Sequence, residues 1–173
     1  MIRYLFNLLY PGRSECNICG RSGAGAACGV CMASLDYLQG TTCLHCGKQL
    51  NECYHDNICP DCRGGVFYYE RAYSCFEYSG MGKKLIYKLK YEGKVQLAKV
   101  IAGLMMERLQ NERLAIDAVV PVPMHESKLE ARSFNQSFII ARELGERMNK
   151  PVADCLKRIK ETKEQYNLDR DQR

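Results

Sequence analysis

Apolar and polar positions divide the chain into a front part without a regular period and a back part with clear ones. From Cys16 to Gly65 the residues are turn-formers and cysteines with no helical spacing, and from Tyr68 onward apolar patterns take over. This places a junction near Gly64-Gly65. Arg71 to Tyr78 alternates loosely and is rich in aromatics, which predicts a strand. Gly80 to Tyr91 predicts a helix with Leu85 and Leu89 on one face and Lys83, Lys84, Lys88 and Lys90 over the rest, stopped by Gly93. Lys94 to Asn111 is the clearest helix, because Leu97, Ile101, Leu104 and Met105 recur at the three- and four-residue steps of a packed stripe. The apolar run Asp117 to Pro123 predicts a buried strand whose end is set by Pro121 and Pro123. Ser133-Phe134-Asn135-Gln136 matches a capping box, with the serine hydroxyl and glutamine side chain satisfying the amides of a helix start. That helix runs to about Met148 with Phe134, Phe138, Ala141, Leu144 and Met148 inward, and a strand near Val152 to Leu156 follows. Strand, helix and strand in this order imply parallel pairing in an α/β sheet.

Composition narrows the class. With 46% hydrophobic and 26% charged residues the chain falls among globular proteins and not disordered ones. Residues 1–12 read as a short amphipathic helix ended by Pro11-Gly12. Their apolar run is broken by Asn7 and lacks a small-residue cleavage site, so no secretory leader is expected. No later stretch has the length and apolarity of a membrane span. A cytoplasmic location is therefore expected, where thiols stay reduced and clustered cysteines usually signify metal. Residues 1–70 carry five Lys/Arg against six Asp/Glu, whereas residues 71–173 carry twenty against fourteen. Any anion-binding role thus falls to the back part.

Eleven cysteines are the anomaly, and eight of them form four Cys-x-x-Cys pairs at Cys16/Cys19, Cys28/Cys31, Cys43/Cys46 and Cys59/Cys62. A two-residue gap lets one tight turn present both sulfurs to the same ion, and two such turns complete a tetrahedral thiolate site for zinc. Glycine after the second cysteine, at Gly20 and Gly47, suits the positive φ of such turns. The alternative, disulfide staples, would need an oxidising compartment. Sequential pairing groups Cys16, Cys19, Cys28 and Cys31 on one ion and Cys43, Cys46, Cys59 and Cys62 on the other; interleaved pairing is the other arrangement that the spacing allows. His45 and His55 lie close enough to substitute as ligands, but eight cysteines already fill two sites, so both are expected to face solvent. Cys53, Cys75 and Cys155 are surplus, the last two expected as ordinary buried thiols. Four thiolates leave no open position for substrate or water, so both zincs are expected to be structural. A segment with so few large apolar residues needs the metal to fold.

Several short motifs stand behind the cysteine array: Lys90-Tyr-Glu-Gly93, Val120-Pro-Val-Pro123, Arg132-Ser-Phe-Asn-Gln136, and the spaced set Leu156, Arg158, Thr162, Gln165, Leu168 and Arg173. In this order the chain resembles ComF-type competence proteins over nearly its whole length. Three segments are expected: residues 1–15, the N-terminal amphipathic stretch read above; and, as the resemblance implies, 16–65, a double zinc ribbon, and 66–173, an incomplete type I phosphoribosyltransferase-like α/β domain. The resemblance also implies a cytoplasmic role in the uptake of transforming single-stranded DNA beside a helicase-like partner. Arg132, Asn135, Gln136 and Lys90 would then stand near an anionic ligand, with Arg132 foremost because a guanidinium suits phosphate oxygens. Gln136 is equally accounted for as a helix cap and Phe134 as packing. Ser133 stands where the family commonly has glycine. The family's phosphate loop, two acidic residues followed by a Thr- and Gly-rich turn, does not occur within residues 1–173. The expectation is a truncated member that is inactive alone in phosphoribosyl transfer, with magnesium relevant only if that loop is supplied.

Overall fold

The computed structural model describes residues 15–52 and 54–162, so the amphipathic helix expected over residues 1–12, together with Cys53, Gln165, Leu168 and Arg173, lies outside the described residues. The chain forms two compact units, the first ending at Leu114 and the second beginning at Ala115.

In the first unit, helix α1 (Gly29–Ala33) and a 3-10 turn (Pro60–Cys62) belong to the cysteine-rich part; α2 (Gly80–Tyr91) and α3 (Leu97–Leu109) follow. The composition changes near Gly64-Gly65, but compactness does not divide there, because the segment after it is bonded back onto the ribbons. Ala72 N–H donates to the His45 carbonyl at 2.7 Å and Glu77 N–H to that of Asp36 at 2.9 Å. Tyr37 and Phe76 form an isolated antiparallel bridge. The Arg71–Tyr78 segment is therefore extended and paired at one bridge, and the strand expected there does not form. The two helices bury Gly82, Leu85 and Leu89 on α2 against a stripe of Leu97, Ala98, Ile101, Ala102 and Leu104 on α3. Burial of each such leucine stabilises by about 1.5–3 kcal/mol. Gly93, at φ 62°, makes the turn between them. Gly82 is where the 76–77 segment touches α2: a Cβ there would lie 2.5 Å from the Glu77 carbonyl oxygen. Ser79 precedes α2 but does not cap it, its hydroxyl donating instead to Asp36 at 2.8 Å.

The second unit contains α4 (Glu126–Arg132) and α5 (Gln136–Met148). Helix α4 is capped by His125, whose ring accepts from Ser127 N–H, a signal that no hydrophobic period carries. The expected capping box at Ser133 is corrected. Asn135 caps α5, accepting from Ser137 N–H at 2.9 Å, while Ser133 terminates α4 in the left-handed region at φ 66°. Its backbone is spent on closing one helix and cannot open the next. Asn149, at φ 51°, closes α5, and Lys150 N–H returns to the Gly145 carbonyl at 2.9 Å. Ala141, Leu144 and Gly145 form the buried face, whereas Phe138, expected inward, is 37% exposed.

The two strands expected around α5 also reduce to one contact. Val119 and Val152 make an isolated parallel bridge, with Val119 N–H donating to Pro151 at 2.9 Å and Ala153 N–H to Val119 at 3.0 Å. Pro121 and Pro123 offer no N–H to extend the ladder, and Val120, Val122 and Leu156 are exposed. Among the described residues there is no multi-residue strand, and no helix is long and apolar enough to cross a membrane.

Candidate metal centres

The two ribbons are built from the same local parts. In the first, Cys16 N–H donates to the Arg21 carbonyl and Gly20 N–H to that of Cys16, next to a Glu15–Ser22 bridge. In the second, Cys43 N–H donates to Lys48 and Gly47 N–H to Cys43, next to a Thr42–Gln49 bridge. Gly20 and Gly47 have φ of 79° and 70°, the conformation that the turn requires. The second pair of each site sits at the start of a helical turn. There Cys28 N–H points at the Cys16 sulfur and Cys59 N–H at the Cys43 sulfur, both at 3.3 Å.

These turns gather Cys16, Cys19, Cys28 and Cys31 in one group and Cys43, Cys46, Cys59 and Cys62 in another, the sulfurs of each lying within 4.8 Å of one another. The sequential grouping is thus the one the fold makes. Sulfur separations are 3.9 Å for Cys16–Cys31, 3.6 Å for Cys19–Cys28 and 3.8 Å for Cys46–Cys59. A tetrahedron with metal–sulfur bonds of ~2.3 Å has edges of ~3.8 Å, and a disulfide would need ~2.05 Å. The donor set and its spacing fit one tetrahedral ion per site. Most of the sulfurs are buried, and around the second site Leu50, Ile58 and Phe67 pack against the cysteines.

The fold prepares unequal thiols within each group. Burial pushes Cys16 up, but the backbone N–H groups of Cys19, Ile18 and Cys28 outweigh it and hold the thiol at about 6. Cys43 is held at about 6 in the same way, burial being overcome by the N–H groups of Cys59, Cys46 and His45. Cys31 is pushed up to about 12 by burial and then by the neighbouring sulfurs, and Cys62 is raised for the same reasons. Each group therefore holds a ready thiolate beside a thiol that must lose its proton to a metal.

Contrary to what its sequence position predicts, His45 does not face solvent. Its ring stacks on Phe67 with centroids 5.1 Å apart, and Nδ1 is buried without a hydrogen-bond partner. His55 is exposed. Cys75 is partly buried, with its thiol pushed up by burial, while Cys155, expected buried, is exposed. The residues expected near an anion divide between the units. Lys90 lies in the last turn of α2. Arg132, Asn135 and Gln136 stand together at the α4–α5 turn, where Arg132 Nη1 donates to Gln136 Oε1 at 2.6 Å and Asn135 Nδ2 to the Val122 carbonyl at 3.2 Å. Arg158 and Lys128, which no motif singled out as a pair, both donate to Thr162.

Paired four-cysteine knuckles on short turns define a class, the zinc-ribbon modules. Residues 5–70 match the family model of the double zinc ribbon domain. No curated protein and no solved structure showed a match to the chain.

Proposed function

We propose that the chain is a ComF-like protein of natural competence that handles incoming single-stranded DNA in the cytoplasm beside a helicase-like partner. Two structural zinc ions hold the ribbons of residues 16–65, and residues 66–173 supply a basic phosphate-binding domain of α/β type. The observation that carries this reading is the bond from Asn135 to Val122. It ties the Val120-Pro-Val-Pro123 and Arg132-Ser-Phe-Asn-Gln136 motifs to each other, and the first of them continues from the parallel Val119–Val152 bridge. In α/β folds, ligands bind beyond the carboxyl ends of such parallel segments. Zinc is the proposed occupant of the ribbons, because an all-thiolate tetrahedron suits it and closes the ion to substrate. Metal analysis of purified protein is expected to find two zinc ions per chain.

Titration of a labelled single-stranded oligonucleotide at low salt tests the DNA reading: affinity is expected to fall steeply with salt, and no measurable binding at low salt overturns it. The same pair of motifs also favours a second reading, a phosphoribosyltransferase whose phosphate loop does not occur within residues 1–173. Because that loop is not among these residues, titration of this chain with phosphoribosyl pyrophosphate and magnesium is expected to give no heat, and micromolar binding would overturn the reading of its site as incomplete.

A further inference from the structure

Helix α2 carries exposed side chains on the face away from its buried line. Its buried line is Gly82, Leu85 and Leu89. At 100° per residue, Tyr87 and Tyr91 fall opposite that line, one turn apart. They are 51% and 50% exposed, with ring centroids 5.0 Å apart. Lys83 and Lys84 are exposed one turn earlier, one on each side of the tyrosine row. The helix contains no acidic residue, and Glu92 just beyond it is engaged by Lys88 at 2.6 Å. The face therefore offers two adjacent aromatic rings flanked by positive charge, with Glu92 beyond one end of the helix paired to Lys88 and Asp36 at the other end accepting from Ser79.

We propose that this face is where a single nucleic-acid strand lies, with bases stacked on Tyr87 and Tyr91 and phosphates drawn to Lys83 and Lys84. The proposal rests on the single-strand reading above and assigns its contact surface. Charge complementarity selects the occupant: lysine is depleted at the centre of protein–protein interfaces, whereas lysines around exposed aromatics are what a polyanion with free π-faces needs. A duplex hides its base faces, so stacking requires a single strand. Insertion of α2 into a lipid surface is disfavoured because its apolar line is already buried in the protein.

Fluorescence anisotropy of labelled (dT)20 with the full chain tests this, circular dichroism and zinc content serving as controls for folding. Tyr87→Ala with Tyr91→Ala is expected to weaken binding by about tenfold or more, and Tyr87→Phe with Tyr91→Phe to leave it within about twofold, because the rings remain. Lys83→Ala with Lys84→Ala is expected to reduce the slope of log affinity against log salt by about 1.4, two contacts at ~0.7 each. If the wild type binds but the alanine tyrosine pair binds equally well, this face is wrong while the single-strand reading stands. If the wild type does not bind at low salt, that reading falls as well. Equal affinity for duplex and single strand overturns stacking, and a marked preference for (rU)20 overturns DNA as the occupant.

Discussion

At the scale of single residues, the cysteines are prepared for metal by the backbone around them. Ligation requires thiolates, so every thiol that is protonated in the metal-free protein must release a proton on binding. At neutral pH Cys16 and Cys43, held at about 6, are already largely ionised, whereas Cys31, pushed up to about 12, is not. Metal affinity is therefore expected to rise with pH across the neutral range. Below pH 6 Cys16 and Cys43 also become protonated, and the slope of log affinity against pH steepens by about one per site. Competition titrations against a chelator at pH 5, 7 and 8 measure this; a flat profile would contradict it. The knuckle glycines make a second prediction. Both have positive φ, but a Cβ on Gly47 would lie 2.7 Å from the Ala72 carbonyl oxygen, whereas one on Gly20 meets nothing within 4 Å. Gly20→Ala is expected to cost about 1 kcal/mol of left-handed strain, and Gly47→Ala distinctly more, up to about 3 kcal/mol. Thermal midpoints of the zinc-loaded variants rank the two.

At the scale of elements, the α4–α5 corner shows how one residue's backbone reassigns its neighbours. Ser133 closes α4 at φ 66°, and Asn135 opens α5. A glycine at position 133 relieves the left-handed penalty, so Ser133→Gly is expected to stabilise the second unit by about 0.5–1 kcal/mol. Asn135→Ala removes both the cap and the tie to Val122, and is expected to destabilise by about 1–2 kcal/mol. Denaturant unfolding of the two variants should move in opposite directions; a loss on Ser133→Gly would mean that the hydroxyl has a role the corner geometry does not contain.

At the scale of the whole molecule, metal and apolar burial stabilise different parts. The ribbons are cored by cysteines with Ile18, Leu35, Leu50, Ile58 and Phe67, while the second unit is cored by Ala141 and Leu144 on α5 and contains neither cysteine group. Chelation is expected to abolish hydrogen-exchange protection across residues 16–62 and to leave α5 protected, as mass spectrometry of exchanged peptides would show; equal loss in both would contradict it. The sequence alone determined the ligands and the local turns, because Cys-x-x-Cys-Gly spacing acts over a few residues and needs no distant partner. It also determined α2, found over the same Gly80–Tyr91 that its spacing marks, and located α3 and α5, since i, i+4 stripes are local as well. Only the tertiary structure decided which cysteine pairs share a site, that His45 stacks on Phe67, and that the Arg71–Tyr78 and Val119–Pro123 segments pair at single bridges instead of forming strands. Each of these depends on what arrives from elsewhere in the chain. A ladder needs a neighbour with matching N–H and C=O groups, and alternation or apolar runs cannot state whether one is present.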